Sequence, residues 1–183
     1  MKNPGLDSME TNFKVRSLDA NISLEDYNKL PKNSLYIILD NLRSAFNVGS
    51  IFRISDILRV TGLFLCGSTA FPPHAKLAKT SMGTIDYVPW KRFETTIDAV
   101  RYLRQRAVPV WAAETTSRSK PFMDVDVPKE VAIVFGNEAL GVNSEVLREC
   151  DAIIEIPVYG FKNSLNVAAA CAVIGYWIVE RKW

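Results

Sequence analysis

Apolar runs alternate with helix-like segments along this chain, and this alternation is the feature that most limits its fold. The runs lie at 35–40, 62–67, 108–114, 131–137 and 152–157, with a possible short strand at 85–90. They are nearly continuous in Val, Ile and Leu, which is typical of parallel strands that are covered on both faces. The sequence therefore predicts an α/β protein with a mostly parallel sheet flanked by helices.

The C-terminal helix differs from an ordinary surface helix. From residue 165 the chain reads "LNVAAACAVIGYWIVERKW", which is apolar on nearly every side. A surface helix shows one polar face, so something must cover both sides of this one. Other helical patterns lie at 47–60, 94–107 and 143–150, between the apolar runs.

Length and composition bound the class of protein. A chain of 183 residues, 48% of them hydrophobic, is long enough for one ordinary core and short for two domains. A formal charge of +2 gives no global signal for nucleic acid. The N-terminus lacks the apolar core of a signal peptide and the last helix reads as buried in protein, which favours the cytoplasm.

The cysteines and the single histidine argue against a metal site. Cys66, Cys150 and Cys171 lie in apolar segments without CxxC spacing, which indicates buried, reduced thiols rather than a disulfide frame or zinc. His74 is alone in "FPPHAK", where it fits a surface residue better than a general base. We therefore expect no metal, and a chemistry without an imidazole.

Three polar loops follow predicted strands. They read "DNLRSAFNVGS" after 35–40, "FGNEALGV" after 131–136 and "IPVYGFKNSLN" after 152–157. Ligands of open α/β sheets bind at the carboxyl ends of the strands, where these loops lie. Asn47, Asn163 or Ser164 alone fits a helix cap, and "GNEALG" alone fits a turn. Three such loops at one edge favour a binding site.

The common nucleotide fingerprints are absent from the first of these loops. It contains one glycine, Gly49, and neither GxGxxG nor GxxxxGK[ST] occurs. A nucleotide-dependent oxidoreductase or an ATP-hydrolysing enzyme on an ordinary doubly wound sheet is therefore disfavoured.

The three loops resemble the motifs of a known family. "NVGSIFRISD" (47–56), "IVFGNEALGV" (133–142) and "IPVYGFKNSLNVAAACAV" (156–173) match, in order and spacing, the SpoU-type RNA ribose methyltransferases of the SPOUT superfamily, which include the TrmH family. The resemblance spans about residues 33–183, which leaves 1–32 as an N-terminal extension. It implies transfer of a methyl group from S-adenosylmethionine to a ribose 2′-hydroxyl of transfer or ribosomal RNA.

The resemblance also implies a fold and an assembly. Such proteins thread their C-terminal segment through a preceding loop to form a deep trefoil knot, and two subunits pack across the knotted helices. One face of the C-terminal helix would then meet its own sheet and the other the twin subunit. Small residues such as Ala168 and Ala172 suit a close approach, although burial within one chain is the alternative.

The resemblance assigns the cofactor to a few positions. Main-chain groups near Gly136, Ile156 and Leu165 are implied to hold S-adenosylmethionine, and a glycine suits a point where the backbone comes close to a ligand. Glu114, at the end of the predicted strand 108–114, is implied as a further contact to the adenosine.

The residues implied in RNA binding and catalysis are Asn47, Arg53, Glu138, Ser164 and Asn166. Glu138 alone could be a carboxylate at a helix N-terminus, and Asn166 a packing amide. In similar enzymes the counterpart of Arg53 is proposed as the general base, yet a guanidinium is effectively always protonated. Its forked donors suit the gripping of a phosphate and the polarising of the hydroxyl.

The RNA itself is less well indicated. Residues 1–32 carry scattered cations without a recognisable RNA-binding domain, and "VRYLRQRA" groups Arg101, Arg104 and Arg106 on one helix. On size alone we expect a stem-loop of transfer RNA in preference to ribosomal RNA. The rival function on the same fold is a non-catalytic module that binds RNA or the cofactor.

Overall fold

The computed structural model describes residues 22–181 of the chain. The chain divides into two compact units, residues 1–30 and 31–183. The described part of the first unit contains one helix, α1 (Leu24–Lys29). Ser23 begins it, because its Oγ accepts a hydrogen bond from the Asp26 N–H at 3.1 Å. Residues 1–21, most of the predicted N-terminal extension, lie outside the described residues.

The second unit is built on a seven-stranded parallel sheet, which confirms the predicted α/β class. Its strands are β1 (Asn33–Asp40), β2 (Val60–Cys66), β3 (Trp90–Phe93), β4 (Val110–Ala113), β5 (Lys120–Pro121), β6 (Val131–Phe135) and β7 (Ala152–Glu155). Their order across the sheet is β3-β2-β1-β6-β4-β7-β5. Its helices are α2 (Ala45–Ile57), α3 (Ala75–Ser81), α4 (Thr96–Arg104), α5 (Ser144–Glu149) and α6 (Val167–Glu180), with 3-10 turns at Thr84–Asp86 and Phe122–Asp124.

The strands are continuously apolar because both faces of the sheet are covered. On β1, Leu35, Ile37 and Leu39 join the core beneath α2 and α6. Ile38 points to the opposite face and joins the core beneath α4 and α5. Successive strand residues thus enter two different cores, so neither set can be polar.

Two strands differ from the prediction. The short strand expected at 85–90 lies at Trp90–Phe93, and Thr84–Asp86 forms a 3-10 turn instead. Pro89 precedes the strand and contributes its carbonyl, which accepts the Leu63 N–H at 2.9 Å. Strand β5 was not predicted. It has two residues, and its pairing with β7 is a long-range contact that no local pattern marks.

Helix α6 is covered on one side by its own chain. Cys171, Ile174 and Ile178 are buried in the core shared with α2 and β1. On the other side Val173 and Tyr176 are 41% and 46% exposed. The apolar composition of the helix is therefore satisfied on one face, and the second apolar face stays open.

The cysteines are free, as predicted. Cys66 and Cys171 are buried and Cys150 is partly buried. Burial raises the pKa of the Cys66 and Cys150 thiols to about 12, so both stay protonated and unreactive at neutral pH. Between residues 22 and 181, no helix is both long enough and apolar enough to span a bilayer.

Candidate functional site

Three loops meet at the carboxyl edge of the sheet. They are the segments that follow β1, β6 and β7, which the sequence singled out as polar. The loops after β6 and β7 and the end of β4 line a cavity of about 860 Å³, a size typical of small-molecule sites. The site is therefore built by the middle of the sheet.

Glu138 ties the loop after β6 to the loop after β1. Its carboxylate accepts hydrogen bonds from the N–H groups of Arg43 at 2.8 Å and Ser44 at 3.1 Å. The Asn47 side-chain amide donates a third bond at 2.9 Å. These donors lie at the start of α2, where a carboxylate also meets the positive end of the helix dipole. Glu138 thus holds the entry to that helix.

Asn47 and Asn166 extend this contact to the loop after β7. The Asn166 side-chain amide donates to Asn47 Oδ1 at 3.2 Å. Asn166 Oδ1 in turn accepts the Ala168 N–H at 2.9 Å, which makes Asn166 the N-cap of α6. Glu138, Asn47 and Asn166 form one chain of hydrogen bonds that we call the amide–carboxylate bridge. It joins all three motif loops.

The bridge changes the acidity of Glu138. Partial burial alone would raise the pKa of this carboxyl, but the N–H of Arg43, the amide of Asn47 and other backbone donors together lower the pKa below its ordinary value of 4.5. Glu138 is therefore ionised near neutrality with its oxygens already occupied. It is better suited to position the loops than to accept a proton.

A tight turn after β6 shapes the cavity wall. Asn137 and Gly141 exchange backbone hydrogen bonds of 3.1 and 2.8 Å, and Gly141 takes a left-handed φ of 69° that favours glycine. A Cβ on Gly136 would overlap the backbone of Gly141 and Val142. Glu114 fixes the far end of the turn, because its carboxylate accepts the Val142 N–H at 2.9 Å.

The four positions expected to hold the cofactor all line this cavity. They are Glu114, Gly136, Ile156 and Leu165. The Glu114 carboxylate accepts hydrogen bonds from the N–H groups of Val142 and Thr115, which the sequence did not indicate. The polar residues Glu138, Ser164 and Asn166 line the same cavity.

Arg53 and Ser164 are not part of the amide–carboxylate bridge. Arg53 is exposed on α2, outside the lining of the cavity, and forms no hydrogen bond or ion pair with residues 22–181. The Ser164 hydroxyl is exposed and donates to Asn163 Oδ1 at 3.2 Å. Within one chain, Asn47, Glu138 and Asn166 therefore lie together. Arg53 lies apart from them, and its guanidinium N–H groups have no partner among the described residues.

Sequence reasoning missed Arg43 and Ser44. Their backbone N–H groups anchor Glu138, and the Ser44 side chain caps α2 by accepting the Asn47 N–H at 3.3 Å. The signal was available, because a serine directly before a helical segment, as Ser44 is before Ala45, is a typical N-cap. Across the described part of the chain, no group of three or more His, Cys, Asp or Glu is arranged to hold a metal.

The fold and this site define an α/β protein whose cavity is lined by two motif loops and tied by hydrogen bonds to a third. Comparison with known proteins gives the family. The SpoU rRNA methylase family matches residues 34–176, so the chain belongs to this family.

Related proteins align with most of this chain. The tRNA (guanosine(18)-2′-O)-methyltransferase of Thermus thermophilus is 30% identical over 151 residues, which are 82% of this chain and 77% of that one. YacO of Bacillus subtilis, named as a TrmH-family tRNA/rRNA methyltransferase, is 27% identical over 86% of this chain. The chain spans about three fifths of the length of several such relatives, 62% in YacO.

Two solved structures show the same fold. The TrmH/SpoU tRNA modifying enzyme of A. aeolicus superposes with a TM-score of 0.77 at 26% identity, over 87% of this chain and 82% of that one. The AdoMet-bound rRNA methyltransferase of Sinorhizobium meliloti gives 0.75 at 29% identity, over 85% of this chain and 59% of that one.

Proposed function

We propose that this protein is an RNA ribose 2′-O-methyltransferase that uses S-adenosylmethionine. The observation that carries the proposal is a cavity lined by two of the motif loops, to which the amide–carboxylate bridge ties the third. Membership of the SpoU family supports it. So do the name of the Thermus relative, a tRNA 2′-O-methyltransferase, and the bound AdoMet of the Sinorhizobium structure.

The cavity fits the cofactor in size and lining. S-adenosylmethionine would supply a methyl group on a positively charged sulfonium, which is already an activated leaving group. Gly136 allows the backbone to approach a ligand closely, while Ile156 and Leu165 offer apolar contact. Glu114 would act through the turn that it holds, because its carboxylate is occupied by backbone N–H groups.

The protein's own part in the reaction would be to position the ribose and to stabilise the charge that develops on its 2′-oxygen. The bridge fixes the three loops relative to one another, so that a bound ribose meets a preformed site. Arg53 has free guanidinium donors, which suit a phosphate next to the methylated nucleotide and the developing negative charge on its 2′-oxygen. Ser164 would orient the ribose. The hydroxyl proton leaves during transfer, and Glu138 is a poor acceptor for it, because its pKa is lowered.

Membership of the family supports transfer or ribosomal RNA as the substrate. Transfer or ribosomal RNA fits the names of the relatives, and a stem-loop of transfer RNA fits the small size of this chain. Arg104 and Arg106 are less available to bind RNA phosphates than the sequence suggested, because both have partners within the chain. Arg104 pairs with Glu149 at 2.7 Å, and Arg106 lies 3.6 Å from the ring centroid of Tyr102.

We also propose that the protein is a cytoplasmic homodimer. The open apolar face of α6, with Val173 and Tyr176 exposed, supports a homodimer packed through this helix. Residues 33–183 would form the methyltransferase domain and 1–32 an extension of it. A cytoplasmic location fits an enzyme that modifies transfer or ribosomal RNA.

The strand order supports the proposed trefoil knot. β7 lies between β4 and β5, which are joined to each other through residues 114–119. The chain enters β7 from α5 on one face of the sheet and leaves it for α6 on the other. Phe122, Val125 and Val127 lead from β5 back toward β6 on the face of α6. An experimental backbone trace through residues 110–170 tests whether α6 has passed through this loop.

The activity is tested in two steps. Calorimetry compares binding of S-adenosylmethionine with that of NAD, and we expect only the first to bind. Mass-spectrometric mapping of RNA from a strain that lacks the protein should then reveal one missing ribose methyl group. Cofactor binding without any change in RNA methylation would instead favour the non-catalytic module. Failure to bind S-adenosylmethionine would refute the methyltransferase and leave only a module that binds RNA.

A further inference from the structure

A second cavity lies beside the first at the same edge of the sheet. Its volume is about 740 Å³, and it is bordered by the loops after β1 and β2 and by β3. The basic and aromatic residues that line it are Arg43, Phe46, Phe71, His74, Lys76 and Arg92. Arg43 connects the two cavities, because its backbone N–H binds Glu138 in the wall of the first.

The second cavity is positively charged. Arg43, Lys76 and Arg92 line it, and none of its described lining residues is Asp or Glu. Glu94 lies 3.7 Å from Arg92, but its side chain is 81% exposed, so water screens this contact. Neither Arg43 nor Lys76 forms an ion pair within residues 22–181. Three cations thus face one concave surface without acidic partners there.

The walls of this cavity are held in place before any ligand binds. Thr69 is buried and links the two loops, since its Oγ1 accepts the Leu42 N–H at 3.0 Å and donates to the Leu39 carbonyl at 3.1 Å. Asn41 Oδ1 accepts the Ser68 N–H at 3.0 Å. Such preorganisation lowers the cost of binding.

Two aromatic rings complete the cavity. The Arg92 guanidinium lies 4.2 Å from the ring centroid of Phe71, which orients it. Phe46 is 51% exposed although it is large and apolar. An exposed ring next to unpaired cations is the combination with which proteins bind single-stranded nucleic acid, since phosphates meet the cations and bases stack on the ring.

We propose that this second cavity binds the RNA strand beside the methylated nucleotide. One phosphate lies among Arg43, Lys76 and Arg92, and one unpaired base stacks on Phe46. The inference rests on the proposed function, because it takes the first cavity as the site of methyl transfer. It adds a subsite for a flanking nucleotide of single-stranded character, which a paired stem could not fill.

The test compares the RNA affinity of a variant that lacks two cations of the cavity with that of a control variant that lacks a cation outside it. The double variant Lys76→Ala/Arg92→Ala removes cations that line the cavity, and Lys79→Ala removes an exposed cation from the same helix as Lys76 but outside the lining. Full-length protein is titrated with unfractionated transfer RNA and, separately, with ribosomal RNA at several salt concentrations. Calorimetry records the affinity for S-adenosylmethionine.

We expect the double variant to bind the preferred RNA at least about tenfold more weakly, with the slope of log K against log salt reduced by about 2. Its cofactor affinity should be unchanged, and Lys79→Ala should behave as wild type. An unchanged slope, or an equal loss in Lys79→Ala, overturns the inference. If the wild-type protein methylates RNA while the double variant keeps full RNA affinity, only the subsite fails. If the wild type binds neither RNA nor cofactor, the proposed function fails as well.

The stacked base is tested separately. Phe46→Tyr keeps an aromatic face, whereas Phe46→Leu keeps an apolar side chain without one. We expect Phe46→Leu to weaken RNA binding by about fivefold or more, the range for losing one stacked base, and Phe46→Tyr to retain it. Equal affinities of the two variants would overturn the stacking contact.

Discussion

Arg53 is exposed and has no partner among the described residues, so replacing it should disturb the fold little. We expect Arg53→Ala to keep its affinity for S-adenosylmethionine while single-turnover methylation falls by about a hundredfold, the scale for losing a group that acts in the transition state. Arg53→Lys should rescue only partly, because an ammonium lacks the planar two-pronged donor. Arg148→Ala, on α5 at the opposite face of the sheet, is the control. A wild-type rate for Arg53→Ala at saturating substrates would make Arg53 a surface cation.

Glu138 should contribute to stability in a pH-dependent way. A carboxyl whose pKa is lowered in the folded state stabilises the protein above its unfolded pKa, and this contribution is lost as pH falls through the folded pKa. Glu138→Gln keeps the shape but removes the charge. We expect it to unfold at lower denaturant concentration than wild type at pH 7, and the gap to shrink as pH falls below about 4.5. A gap that stays constant from pH 7 to pH 3 would contradict this role.

The polar residues of the bridge could be named from their motifs, but their contacts could not. Asn47 meets Glu138 across 91 positions of sequence and Asn166 across 119. Such pairings depend on the order of strands in the sheet, which local patterns do not encode. For the same reason the exposure of Arg53 away from the bridge could not be foreseen.

At the scale of elements, the turn after β6 should be sensitive to a single methyl group. Gly136→Ala would place a Cβ against the backbone of Gly141 and Val142, which cannot yield as a flexible side chain does. We expect a loss of about 1–3 kcal/mol in the free energy of unfolding and a weaker affinity for S-adenosylmethionine. Gly160→Ala is the matched control, because no atom lies within 4 Å of its added Cβ. Denaturation and calorimetry on both variants provide the check.

Most helices and strands were predictable because two cores impose continuous apolar strands and the helices carry recognisable patterns. The exceptions are short. α3 and β5 have seven and two residues, too few for a periodic signal, and β5 exists through its pairing with β7. The open face of α6 was also hidden, since an apolar sequence cannot tell which neighbour covers it.

At the scale of the whole molecule, the apolar face of α6 should drive self-association. We expect a species of twice 20.5 kDa in sedimentation at micromolar concentration. Tyr176→Arg places a charge on the exposed face and should shift the protein toward the monomer. Glu145→Arg lies on α5, at the opposite face of the sheet, and should leave the assembly unchanged. A wild-type protein that sediments only as a monomer would refute the proposed dimer.

Arg43 links the two cavities, because it lines the second and its backbone N–H binds Glu138, which lines the first. A ligand in the second cavity would therefore contact a residue that is hydrogen-bonded to the wall of the first, and we expect binding in one cavity to favour binding in the other. Thermodynamic linkage then requires a symmetrical effect, in which RNA tightens cofactor binding by the same factor as cofactor tightens RNA binding. Dissociation constants measured for each ligand with and without the other should give one common factor above unity. In Glu138→Gln, where the connection is weakened, that factor should fall toward one.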